Sequence, residues 1–208
     1  MSGVRFSAVV LAAGSSTRMP GRHKLLLPLG DEVVIRRTVR SVLAAGPEEG
    51  VVVTGCEAQA VSAALAGLRA RLQFNPRHEE GQMTSVAAGV AALSLPTDAI
   101  MICLGDMALL GPADYRELVD AYSSRPRGSI VVPHRGGIRG NPVVFSSRFA
   151  AAVIAGDRNL GCRRLIADNP DEVHAHEPAH DRFFVDLDTP QDYARLLERL
   201  LLPAGLVS

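Results

Sequence analysis

Ala8-Val9-Val10-Leu11-Ala12-Ala13-Gly14-Ser15-Ser16-Thr17-Arg18-Met19 begins as an apolar run of strand length, ends that run in small residues, and continues into a polar loop carrying Arg18. Lys24 follows a few positions later. Small residues let a backbone close on a base and ribose, exposed N–H groups face phosphate oxygens, and the two cations offset the charge of a triphosphate. A buried strand feeding such a loop predicts an α/β fold with its ligand at the strand's carboxyl end.

Working outward, apolar runs bounded by turn residues alternate with helical periodicity. Strands are expected at 7–11, 51–54, 72–75 and 99–104, and helices at 32–44, 58–65, 84–93 and 112–122, the last opened by Pro112. This alternation calls for a largely parallel sheet covered on both faces. Beyond Tyr122 the rhythm changes. Short strands at 130–133 and 142–145 flank the glycine-rich stretch Arg135-Gly136-Gly137-Ile138-Arg139-Gly140-Asn141. Helices at 148–155 and 162–168, a strand near 183–187 and a helix at 190–202 complete the pattern. No repeat, linker or low-complexity segment interrupts it, so residues 1–208 read as a single domain.

The 22 basic and 22 acidic residues cancel, which argues against a nucleic-acid partner, because binding a polyphosphate backbone needs clustered excess cations. No apolar stretch approaches the ~20 residues of a membrane span. The amino terminus shows no signal-peptide layout, so the expected location is cytoplasmic. Cys56, Cys103 and Cys162 lack the spacing of a metal or redox motif and read as reduced, mostly buried thiols.

Loops following the first strand, Leu104 and Leu187 share one rim in such a sheet, which gathers Arg18, Lys24, Asp106 and Asp188. A carboxylate directly after a buried strand suits a hard dication such as Mg²⁺. The plainer alternatives are a turn or helix-cap role for Asp106 and a capping role for Asp188 ahead of Pro190. Within Gly81-Gln82-Met83-Thr84-Ser85, Gly81 permits close backbone approach, and the hydroxyls of Thr84 or Ser85 at a helix start would be free for a base or ribose. His23 beside Lys24 reads as a solvated loop histidine. The stretch holding His174, His176 and His180 is rich in Pro, Glu and Asp and reads as an exposed connection, with no metal site expected there.

With these segments laid out, the chain resembles the nucleotidyltransferase family that includes the molybdenum cofactor cytidylyltransferases and their guanylyl relatives. The matching segments are Leu11–Met19 with Lys24, Gly81–Ser85, Leu104-Gly105-Asp106-Met107, Gly140-Asn141-Pro142, Gly156-Asp157 with Gly161 and Arg163, and Asp186–Asp192. The resemblance implies a Rossmann-like three-layer sandwich with a mostly parallel central sheet, of the nucleotide-diphospho-sugar transferase type. It implies transfer of CMP from CTP to the phosphate of molybdopterin with release of pyrophosphate, since the Leu-Ala-Ala-Gly form of the first motif goes with cytidylyl transfer in this family. Molybdopterin and a molybdenum hydroxylase or its maturation factor would then be the partners.

By the same resemblance Leu11, Ala12, Ala13, Gly14, Arg18, Lys24, Gly81 and Ser85 hold the nucleotide. Asp106 and Asp188 hold Mg²⁺, with Arg18, Lys24 and Asp106 carrying the chemistry. Gly140, Asn141, Pro142 and Arg163 face the acceptor. The chain departs from the family pattern at Ala108, where proline is usual, and at Asn141, where many cofactor cytidylyltransferases carry histidine. It also lengthens the Gly156-Asp157 motif before Gly161. Transfer from GTP or to another phosphorylated acceptor such as a sugar phosphate, and a non-catalytic role as a molybdopterin escort, are the alternatives.

Overall fold

The computed structural model describes residues 3–19, 21–155 and 162–201. Its strands are β1 (Phe6–Ala12), β2 (Pro28–Leu29), β3 (Glu32–Val33), β4 (Gly50–Thr54), β5 (Arg71–Phe74), β6 (Ala99–Leu104), β7 (Ile130–Arg135), β8 (Ile138–Arg139), β9 (Val143–Ser146) and β10 (Val173–His176). Its helices are α1 (Val34–Ala44), α2 (Ala58–Ala64), α3 (Gln82–Ala91), α4 (Pro112–Ser124), α5 (Ala150–Ala155), α6 (Cys162–Asp168) and α7 (Pro190–Leu201).

All seven residues of β1 are buried, and the strand lies between two parallel neighbours, with Leu11 opposite both Leu104 of β6 and Val53 of β4. Successive side chains of a strand point to opposite faces. Ala8, Val10 and Ala12 accordingly join one apolar layer with Val34, Ile35, Val39 and Val42 of α1, Val61 of α2 and Leu118 of α4. Val9, Leu11 and Ala13 join the other, with Val86 and Val90 of α3, Val153 of α5 and Leu165 and Ile166 of α6. Helices therefore cover both faces of one sheet, and the three-layer architecture expected from the sequence is the one present.

The main sheet runs β10-β7-β9-β6-β1-β4-β5, with β8 pairing β7. Only β9, which is antiparallel to β6 and β7, and the β7–β8 hairpin break the parallel arrangement. The carboxyl ends of β1, β4, β6, β7 and β10 consequently lie along one edge, where the candidate site forms. Among the described residues no helix is long and apolar enough to cross a membrane.

Three expectations need correction. Glu32 and Val33 do not start a helix; they pair antiparallel with Leu29 and Pro28, and α1 begins at Val34. No strand forms at 183–187. The apolar Phe183 there is a core anchor, with no exposure, inside the 3₁₀ turn Asp181–Phe184. The sheet instead takes its last strand from Val173–His176, which pairs parallel with β7 although read as an exposed connection. An edge strand that is half-exposed and flanked by Pro, Glu and Asp carries too few apolar residues to announce itself. The cysteines are unpaired; Cys103 is buried as expected, while Cys56 and Cys162 are partly exposed.

Candidate active site on the carboxyl rim of the sheet

After β1 the chain turns back on itself. Ser16 adopts a left-handed backbone (φ 53°), its carbonyl accepts from the Met19 N–H at 2.8 Å, and its hydroxyl accepts from the Lys24 N–H at 3.1 Å. One ring nitrogen of His23, Nε2, lies 3.0 Å from the Gly14 carbonyl. The ring is thus half-buried, not solvated as expected from sequence, and burial holds its pKa below the ordinary value. These contacts lay Lys24 across the ends of β1 and β6.

The Lys24 ammonium lies 2.5 Å from Asp106 Oδ2 and 2.9 Å from Asp188 Oδ1. Arg18 reaches the other oxygen of Asp188 at 2.7 Å, with most of its own side chain exposed. The four residues predicted to share the rim are joined in one charge network. Gly105 makes the approach possible. Its N–H donates to the Leu11 carbonyl at 3.0 Å, and a Cβ there would come within 2.8 Å of that oxygen. Asp106 therefore leaves β6 against the root of the first loop. The plainer capping role for Asp188 is not what forms. Thr189 caps α7, exchanging hydrogen bonds with Asp192, whose carboxylate accepts from the Thr189 N–H and hydroxyl at 2.9 and 2.7 Å.

Burial pushes the Asp106 carboxyl pKa up, partly offset by Lys24. For Lys24, burial works against the charged form, but the two aspartates outweigh it and the pKa lies above its ordinary value. Asp106 Oδ1 is buried without a hydrogen-bond partner. An orphaned carboxylate oxygen costs free energy unless a ligand completes it. Two carboxylates, one with a vacant oxygen, fit a hard dication with oxygen ligands. Asp186 is exposed and acts on Asp106 only through its charge, which adds to the upward shift.

Leu11, Ala12 and Ala13 are buried at the end of β1, and Gly14 is exposed at the start of the loop. Beside that loop lies a cleft of roughly 760 Å³, lined in part by Ser15, Ser16, Thr17, His23, Cys56 and Glu57. It flanks the charge network; neither Asp106 nor Asp188 lines it. Gly81 precedes α3 with φ 118°, a conformation open to glycine. The hydroxyls expected to be free nearby are engaged. Asn75 Nδ2 donates to Thr84 at 2.8 Å and to buried Ser85 at 3.0 Å, and the Thr84 hydroxyl donates to the Arg77 and Gly81 carbonyls.

On the other flank, the Gly140 N–H donates to the Pro133 carbonyl at 2.8 Å and the Asn141 N–H to the Phe183 carbonyl at 2.9 Å. Asn141 and Pro142 are joined by a cis peptide bond. Gly140–Pro142 is thereby braced against the turn that leads to Asp188. Arg163 lies exposed on α6, and among the described residues no hydrogen bond or ion pair ties it to this segment. The Gly156, Asp157 and Gly161 motif lies outside the described residues.

A second cluster was not read from the sequence. Asp114, Glu117 and His180 bring one ligand atom each to within 4.8 Å of the others, close enough to coordinate a divalent metal. The signal was split between a helix and the segment after an unread strand, so spacing alone did not reveal it.

Residues 8–178 match the MobA-like NTP transferase domain family. A nucleotidyl transferase from Methanothermobacter thermautotroptrophicus is similar over 96% of this chain and 99% of its own, at 29% identity and a TM-score of 0.82. The bifunctional protein GlmU of Sphingopyxis alaskensis is 32% identical over 61% of this chain, which spans 28% of that protein's length. Nicotine blue oxidoreductase of Paenarthrobacter nicotinovorans is 29% identical over 92% of this chain and 96% of its own.

Proposed function

This chain belongs to the MobA-like NTP transferase domain family, and we propose that it transfers a nucleoside monophosphate from a nucleoside triphosphate to a phosphorylated acceptor, releasing pyrophosphate. The observation that carries this reading is the Lys24 ammonium clamped between Asp106 and Asp188, with Asp106 Oδ1 unsatisfied. Two carboxylates with two cations make a site that is near neutral when empty and accepts a dication together with a polyanion.

Asp106 and Asp188 would hold Mg²⁺, which when bound neutralises phosphate oxygens and orients them. Lys24 and Arg18 then exchange their carboxylate partners for the triphosphate, shielding the charge that builds on the leaving pyrophosphate. The backbone of Leu11–Gly14 and the segment from Gly81 to Ser85 form the walls for base and ribose, with Ser85 acting through the Asn75 bond that fixes the start of α3. The attacking acceptor phosphate is already anionic, so the protein's part is alignment and charge shielding, not proton removal. Gly140, Asn141 and Pro142 are assigned to the acceptor, whereas Arg163, which the resemblance also nominates, makes no hydrogen bond or ion pair with them among the described residues.

Nucleotide and acceptor are the finer choice. The Leu11–Gly14 form nominates CTP and molybdopterin, while Asn141 departs from that pattern in the half of the site that meets the acceptor and Ala108 departs from it in the core behind Asp106. GTP and sugar phosphates therefore belong in the same experiment. Pyrophosphate release is measured from CTP and GTP with Mg²⁺, with and without molybdopterin or a panel of sugar phosphates. Release that depends on both dication and acceptor is expected. An absence of pyrophosphate release from every pair would overturn this reading. Tight pterin binding without turnover would favour the escort.

A further inference from the structure

We propose that Asp114, Glu117 and His180 form a second cation site, distinct from the Asp106–Asp188 pair, which takes a first-row transition metal such as Zn²⁺ and clasps the segment after β10 to α4.

Three donors converge from two separate stretches of chain, with His180 Nε2 3.0 Å from Asp114 Oδ1. Each donor is oriented by a group outside the trio. Asp114 is 4% exposed. Its Oδ2 accepts from the Gly111 N–H at 2.7 Å and faces Arg182 at 3.3 Å, leaving Oδ1 turned to the cluster. Glu117 Oε1 is 2.7 Å from His176 Nε2. The Phe183 ring stacks on the His180 imidazole at 5.4 Å with 3° between the planes. Outer partners of this kind fix the direction of metal ligands.

A common ion at ~2.0–2.2 Å from each donor holds them within about 4.3 Å of one another, a small closure from the present spacing. One imidazole and two carboxylates suit zinc and its neighbours, whereas Mg²⁺ prefers oxygen donors and keeps its waters. The place matters for the rim. Phe183, stacked on His180, gives its carbonyl to Asn141, and the chain then runs on to Asp186 and Asp188. An ion on Asp114 and His180 would fix that run from behind without touching the nucleotide.

The test uses the full chain with Asp106→Asn, which silences the rim site, and titrates it with Zn²⁺ by calorimetry and with Co²⁺ by its visible absorption. One ion per chain is expected, with affinity lowered at least tenfold by Glu117→Gln and by His180→Ala, and with no competition from millimolar Mg²⁺. Glu117→Gln preserves volume, and its circular dichroism and melting curve show whether it folds. Binding that survives both substitutions would overturn the proposal, as would an absence of Zn²⁺ binding in the Asp106→Asn chain. Neither result bears on the transferase reading, which fails only through the pyrophosphate assay.

Discussion

The two flanks of the rim are built differently. Around β1, β4 and β6 the strands are parallel, and their ends deliver Lys24 and Asp106 directly into the charge network. Around β7, β9 and β10 the sheet is mixed, and turns place Gly140, Asn141 and Phe183 against one another through backbone bonds. The first flank fixes side-chain charge, which the chemistry of any triphosphate shares. The second fixes backbone shape, which is where one acceptor would be told from another. Substitutions on the first flank should therefore abolish turnover, and those on the second should redistribute it among acceptors.

The largest effect is expected at Asp106. Asp106→Ala should reduce turnover by about a thousandfold or more, the scale of losing a main charge-stabilising group. The fold should persist, because Lys24 keeps Asp188 as partner and burial already disfavours the Asp106 charge. Melting curves beside pyrophosphate release check both halves; undiminished release would remove Asp106 from the mechanism. Lys24→Met comes next. It leaves Asp106 without its cation and Asp188 with Arg18 alone, so Mn²⁺ titrated without nucleotide should bind more tightly than to the parent chain. Triphosphate binding should weaken by about tenfold or more, the cost of a lost charged hydrogen bond. Weaker Mn²⁺ binding in this variant would mean that the aspartates are not the dication's ligands.

Gly140→Ala tests the second flank. A Cβ there would lie 2.5 Å from the Phe183 carbonyl and 3.0 Å from the Phe184 ring, so the brace behind Asn141 has to shift. A loss of about 1–3 kcal/mol in stability is expected from such overpacking. With it should come a raised KM for the acceptor and a nearly unchanged KM for the triphosphate. Equal changes in the two constants would show that the flanks are not separable.

The same contrast explains what was legible in the sequence. Ala99–Leu104 reads as a strand because all six residues are apolar, and Asp106 follows it, so both the element and the site residue lie in one local pattern. Arg18 and Lys24 were placed on the shared rim by the logic of parallel sheets, whereas Asp188 reaches it although the strand expected before it is absent, carried there behind the 3₁₀ turn Asp181–Phe184. β10 was not legible, because Val173-His174-Ala175-His176 earns its place through pairing with Ile130–Pro133, a contact distant in sequence. The Phe183 run misled for the converse reason: its apolar character comes from core burial, not from strand pairing. The engagement of Thr84 and Ser85 depended on Asn75, whose side chain no spacing rule connects to them.

The smallest effect should come where the flanks meet, at the start of α7. Asp192 accepts from the backbone and hydroxyl of Thr189 and, at 3.3 Å, from the Asp188 N–H, so this capping box also holds the Asp188 backbone. Asp192→Ala should cost about 1 kcal/mol, the usual value of a helix cap. The bonds from Thr189 hold the Asp192 carboxyl pKa below its ordinary value of 3.8. A carboxylate with a lowered folded pKa contributes its stability above the unfolded value and loses it as pH falls through the folded one. The melting difference between parent and variant should therefore be constant from neutrality down to the ordinary carboxylate range and shrink below it. A difference that persists in strong acid would assign the stabilisation to packing and not to the charged cap. If the cap positions Asp188 as well as α7, the variant should also lose Mn²⁺ affinity by a few fold, a change that fraying of an unconnected helix end would not produce.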